Sequence, residues 1–228
     1  RARADGACGA HNNQVRRHGK RSDTRVRKQL RLGIMGGTFD PIHYGHLVTA
    51  EEALVQFNLD RVVFMPTGVP ARKTHRHVTS AEHRYLMTVI ATASNPDFAV
   101  SRLEVDRPGV TYTVDTIAEL RSVHGPDAEI FFITGADAVL DILTWKDSDR
   151  LADGCTFIAA TRPGHDLSAF SSRADAARLR VELMAVPALA ISSTDIRARV
   201  AERRPIRYLL PEAVSAYIEK NALYRGVS

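Results

Sequence analysis

Residues 33–47 read GIMGGTFDPIHYGHL, and the fold follows from them. A short apolar run (Leu32, Ile34, Met35) meets Gly36 and Gly37, passes Phe39, Asp40 and Pro41, and reaches His43 and His46 as helical spacing begins. That order is a strand, a tight turn and a helix entry. Gly36 and Gly37 lack Cβ atoms, so the backbone there can take positive φ and let a ligand approach its N–H groups closely. Those amides and the positive end of the following helix form a place for phosphate. His43 and His46 are three residues apart, so both rings share one face of the first turn. A glycine pair or a capping histidine alone is ordinary; together in one strand-turn-helix unit they point to phosphate chemistry.

The chain has 228 residues, 44% of them apolar, enough for one domain with a substantial core. No run approaches the roughly 18 apolar residues of a membrane helix. Cys8 and Cys155 lie far apart, which argues against a structural disulfide and for a reducing, cytoplasmic compartment. The net charge of +5 is unevenly placed: residues 1–31 carry a local +8, leaving −3 for the remainder. The globule is therefore mildly acidic, which argues against a general nucleic-acid-binding face. Residues 1–30 read as a disordered basic leader and 31–228 as a single domain.

Downstream, Leu47, Ala50, Leu54 and Phe57 recur at helical spacing, and Arg61–Met65 reads as a second buried strand. A strand, a helix and another strand imply a parallel crossover. The loop PTGVPARK (66–73) leaves the second strand, where an open parallel sheet binds ligands, and Lys73 is its candidate phosphate ligand. Thr79 to Glu82 has the form of a capping box before a helix with a Leu86, Val89, Ile90, Ala93 stripe. Arg84 in that helix reads as structural. Phe98–Val105 suggests a third strand, and Thr113 a helix cap with free amides nearby. Glu129–Thr134 and Cys155–Ala160 are strongly apolar strands, and Val181–Val186 a last one. Gly135 and Asp137 sit at a strand-to-helix turn, and Trp145, the chain's only tryptophan, is followed by Lys146. Arg162 marks a turn, and 167–180 is helix-compatible. Ile191, Ser192, Ser193 and Thr194 open a helix with Arg197 one turn inside, a donor set suited to polyphosphate. Residues 211–224 read as a packing helix.

The string GGTFDPIHYGHL resembles the (T/S)FDPxHxGH signature of the nucleotidylyltransferase superfamily, and ISSTDIR resembles its ISST-x-IR signature. The whole set, with TYTVDT, TGAD and the tryptophan, is most similar to the bacterial nicotinate mononucleotide adenylyltransferase family. The resemblance implies a Rossmann-like α/β, doubly wound parallel sheet of the HxGH nucleotidyltransferase type with a small C-terminal helical part. It implies transfer of AMP from ATP to nicotinate mononucleotide, with Mg²⁺ carried on ATP oxygens rather than in a carboxylate cluster. It casts His43, His46, Lys73 and Arg197 as catalytic, and adds Gly36, Gly37, Thr38, Phe39, Gly135, Asp137, Ile191, Ser192, Ser193 and Thr194 around ATP. Gly37, Thr38, Thr113, Trp145 and Lys146 would hold the mononucleotide, the indole stacking on the pyridine. Backbone amides carry no side-chain label, so the nicotinate and nicotinamide forms both stay open. Rivals are another nucleotidylyltransferase, such as the pantetheine-phosphate type, and a non-catalytic nucleotide sensor or nucleic-acid binder.

Overall fold

The computed structural model describes residues 29–70, 78–136, 138–139, 148–161, 179–187 and 189–226. Expectations for the leader up to residue 28, Lys73, Asp137, Trp145, Lys146, Arg162 and residues 167–178 lie outside that set.

Among the described residues six parallel strands form the central sheet: β1 (Arg31–Gly37), β2 (Arg61–Pro66), β4 (Phe98–Val100), β6 (Glu129–Gly135), β7 (Thr156–Thr161) and β8 (Val181–Ala185). Their order is β4-β2-β1-β6-β7-β8, with Met35 of β1 paired to Phe64 on one side and Ile133 on the other. The chain runs outward from β1 to β4 and then returns to its other side, so the direction of winding reverses beside β1. The crevice at the C-terminal ends of β1 and β6 is the place such a sheet binds ligands. This is the doubly wound arrangement expected from the sequence. A pair of two-residue strands, β3 (Val69–Pro70) and β5 (Val110–Thr111), ties the loop after β2 to the segment leading into the helix that begins at Thr113.

Strands buried on both faces need apolar residues in both alternating sets, and two cores result. Met35, Phe64 and Ile133 face α1 (Tyr44–Gln56), α2 (Ala81–Thr92), α5 (Ser193–Ala201) and α6 (Glu212–Lys220). Leu32, Ile34, Phe132 and Phe157 face α3 (Thr113–His124) and α4 (Ser148–Gly154). Among the described residues no helix is long and apolar enough to cross a membrane.

Several local expectations shift. The third strand stops at Val100 instead of Val105, because the chain turns to bury Glu104, whose carboxylate accepts a hydrogen bond from the Thr116 hydroxyl at 2.7 Å. The cap of α2 is Ser80 rather than Thr79, accepting from the His83 amide. Its buried face is Arg84, Met87, Thr88, Ala91 and Thr92. Thr88 and Thr92 can turn inward because each hydroxyl donates to the carbonyl four residues back, at 2.8 and 2.9 Å. Cys155 precedes β7 in the core; burial pushes its thiol up to about 12, so it is inert at neutral pH.

Candidate active site

Both glycines of the opening turn belong to the end of β1, and neither has positive φ. Their role is close packing: a Cβ on Gly36 would lie 2.8 Å from the Phe132 ring, and one on Gly37 would lie 2.8 Å from the Phe39 ring. The positive φ, 49°, falls instead on Phe39. A side chain in that region is strained, and burial holds it there, with the ring 5.0 Å edge-on to His46 and 5.8 Å from Phe64. Phe39 is 2% exposed, so its ring supports His46 and leaves only backbone for a nucleotide.

The chain then enters α1, with His43 at the N-cap in extended conformation. Its main-chain N–H donates to Nδ1 of His46 at 3.2 Å. That bond occupies the Nδ1 lone pair, so the neutral imidazole carries its proton on Nε2. The two rings stack with centroids 3.8 Å apart. His43 is buried, which lowers its pKa to about 4, so the ring is neutral at physiological pH. Its Nδ1 is shielded from solvent and has no hydrogen-bond partner among the described residues. Gly45 fits between these rings and the other motif: a Cβ there would meet the His43 ring at 3.0 Å and the Ile191 carbonyl at 3.9 Å.

That second motif arrives from 150 residues downstream and docks directly on the first. Ser193 Oγ donates to the Pro41 carbonyl at 2.8 Å, and Arg197 Nη1 donates to the Asp40 carbonyl at 2.6 Å. Ser192 spends its hydroxyl on capping α5, accepting from the Asp195 amide at 3.1 Å. Thr194 Oγ1 accepts from Arg197 Nη2 at 3.3 Å. All three hydroxyls read as phosphate donors thus bond within the protein, Ser193 as donor and Ser192 and Thr194 as acceptors, and the amides of Ser193 and Thr194 at the start of α5 are left to meet a ligand. Thr67 at the end of β2 joins the same rim, its amide donating to the Gly37 carbonyl at 2.9 Å.

Thr113 is the first residue of α3, not its cap. Tyr112 takes the N-cap position, and its carbonyl already accepts from the amides of Asp115 and Thr116. The Thr113 amide is still one of the helix's unpaired first-turn donors, and β3–β5 pairing brings it beside the loop after β2. Gly135 ends β6 next to β1, and a Cβ there would meet nothing within 4 Å. Among the described residues nothing fills the room in front of it. Thr38 is half-buried in the turn between them. Among the described residues no group of three or more His, Cys, Asp or Glu is arranged to hold a metal ion. Asp40, buried beneath the turn at 5% exposure, was absent from the sequence-derived set although it stands inside the signature itself.

The fold is shared with solved enzymes. Against a Plasmodium falciparum nicotinic acid mononucleotide adenylyltransferase complexed with NaAD the TM-score is 0.70 at 20% identity, covering 86% of this chain and 97% of that one. A cytidylyltransferase-like family model matches residues 34–199, which include both motifs. A Moorella thermoacetica protein named "Probable nicotinate-nucleotide adenylyltransferase" is 60% identical over 204 residues, covering 88% of this chain and 94% of that relative. The chain belongs to the nicotinate-nucleotide adenylyltransferase family. A Streptomyces coelicolor protein of the same name is 59% identical over 192 residues, spanning 84% of this chain and all of that relative.

Proposed function

We propose that this protein transfers AMP from ATP to nicotinate mononucleotide, giving nicotinate adenine dinucleotide and pyrophosphate. The observation that carries the reading is the direct docking of the Ser192–Arg197 segment on the histidine turn, through Ser193 to Pro41 and Arg197 to Asp40. A phosphate oxygen of the mononucleotide attacks the α-phosphorus of ATP, and the bond from that phosphorus to the bridging oxygen of pyrophosphate breaks. The attacking group is already an anion, so the protein needs no covalent nucleophile. The barrier lies in aligning two anionic substrates and stabilising charge on the α-phosphate and the departing pyrophosphate.

Each segment takes part of that task. His46 Nε2–H donates to the phosphate oxygens where charge grows, and neutral His43 stacks behind it. The Gly36–Thr38 backbone lies beneath the α-phosphate. Lys73, Arg197 and the first-turn amides of α5 gather the β- and γ-phosphates, while Ile191 packs beside them. Gly135 leaves space for the nucleoside, and Asp137 accepts from a ribose hydroxyl. The Thr113 amide and Lys146 hold the nicotinate carboxylate, and Trp145 stacks on the pyridine. Mg²⁺ enters as part of the ATP substrate, bound through phosphate oxygens and water. Residues 31–228 work as one domain in the cytoplasm.

The test is to incubate the purified chain with MgATP and nicotinate mononucleotide and follow both products. Equal release of pyrophosphate and dinucleotide, dependent on both substrates, is expected. ATP binding without turnover would replace the enzyme with a nucleotide sensor. Comparing kcat/KM for the nicotinate and nicotinamide mononucleotides then fixes the acid or amide preference.

A further inference from the structure

A set of buried polar groups lies under the catalytic turn and belongs to none of the substrate contacts above. Asp40 is 5% exposed. One carboxylate oxygen, Oδ1, accepts from the Tyr224 hydroxyl at 2.8 Å across 184 residues. The other, Oδ2, faces the Thr79 amide at 3.4 Å, and the Asp40 carbonyl receives Arg197 at 2.6 Å. Beside it Arg84, 1% exposed, donates to three main-chain carbonyls at 2.8 Å each, those of Thr79, Thr38 and Gly68. Apart from Tyr224, these partners lie outside the central sheet in segments that carry or flank the proposed phosphate contacts. Thr38 and Asp40 precede His43, Gly68 and Thr79 bracket the loop that carries Lys73, and Arg197 belongs to the second motif.

Tyr224 reaches this position because the chain leaves α6 at Lys220 and turns back, with Ala222 and Tyr224 at φ of 51° and 62°. Non-glycine residues hold such backbone only where the surroundings impose it. Leu223 and Tyr224 pack on the core beneath α1 and α2. Burial, and then the adjacent Asp40 carboxylate, push the Tyr224 phenol well above its ordinary range, so it stays a protonated donor at any working pH.

We propose that Tyr224 and Asp40 are positioning residues of the transfer reaction: the tyrosine hydroxyl holds the carboxylate that registers the histidine turn against Thr79 and, through its own main chain, against Arg197. The end of the chain is thus part of the machinery that aligns the phosphates, with Arg84 fixing the loop on either side of Lys73. The inference rests on the adenylyl-transfer reading above, because it says what the network positions.

Tyr224→Phe removes one oxygen and keeps the ring. In the folded variant kcat falls about 10-fold, the scale of a small misalignment of reacting groups, while KM for nicotinate mononucleotide stays within about 2-fold. Asp40→Asn, which sets an amide where Oδ2 faced the Thr79 N–H, loses as much or more, and the double variant is no worse than Asp40→Asn alone. A merely structural tyrosine would lower the melting temperature and leave kcat per folded molecule unchanged, and independent effects would multiply in the double variant; either result overturns the proposal. Hydrogen exchange without substrate gives a second readout, with faster exchange in residues 36–47 and 78–84 of Tyr224→Phe and unchanged exchange at the far edge of the sheet. If the unaltered chain shows no turnover, the functional reading falls by itself. Unchanged exchange in Tyr224→Phe would then still overturn the positioning network.

Discussion

Replacing His43 by asparagine should change how stability depends on pH. The ring's pKa stands at about 4 in the folded chain against an ordinary 6.5, because burial penalises the charged form. Between those values the unfolded chain binds a proton that the folded chain refuses, so stability is lost as pH falls from 6.5 towards 4. Each unit of difference is worth about 1.4 kcal/mol, so the whole interval costs about 3 kcal/mol. Below about pH 4 both states carry the proton and the contribution is constant. Urea unfolding of the unaltered chain and His43→Asn, from pH 7.5 to 4.5, isolates it, since carboxylates titrate in both proteins. The unaltered chain should lose about 2–3 kcal/mol more than the variant over that range. Parallel curves would mean that His43 titrates as an exposed histidine, and would refute the neutral, stacked ring behind His46.

Three further variants test separate parts of the site. His46→Ala should lower kcat by about 10²–10³-fold with the protein still folded, as for loss of one donor acting on transition-state charge; an unchanged rate would take His46 out of the mechanism. Gly36→Ala places a methyl 2.8 Å from the Phe132 ring, itself buried and edge-on to Phe157, so thermal or urea unfolding should show about 1–3 kcal/mol of overpacking. Trp145→Ala should weaken nicotinate mononucleotide binding more than ATP binding by calorimetry, and equal losses would count against stacking.

The apolar runs at Arg61–Met65 and Glu129–Thr134 were legible as strands because a sheet covered on both faces demands continuous hydrophobicity. Where burial was polar, periodicity misled. Thr88 and Thr92 look like surface residues until their hydroxyls are seen to bond within the helix, and Glu104 ended a strand that its apolar neighbours would have prolonged. Gly36 and Gly37 marked the turn correctly but for another reason, since the neighbouring rings need the space and Phe39 takes the positive φ. The docking of the Ser192–Arg197 segment on the histidine turn came from the resemblance of two motifs, not from spacing. The pairing of Asp40 with Tyr224 had no such guide, because a hydrogen bond across 184 residues leaves no local pattern.

The most direct test of the account is a crystal structure of the chain with MgATP analogue bound. The triphosphate should lie in the crevice beside β1, with a phosphate oxygen within about 3 Å of His46 Nε2 and the outer phosphates on Arg197 and the first-turn amides of α5. A triphosphate seated away from both the histidine turn and the Ser192–Arg197 segment would contradict it.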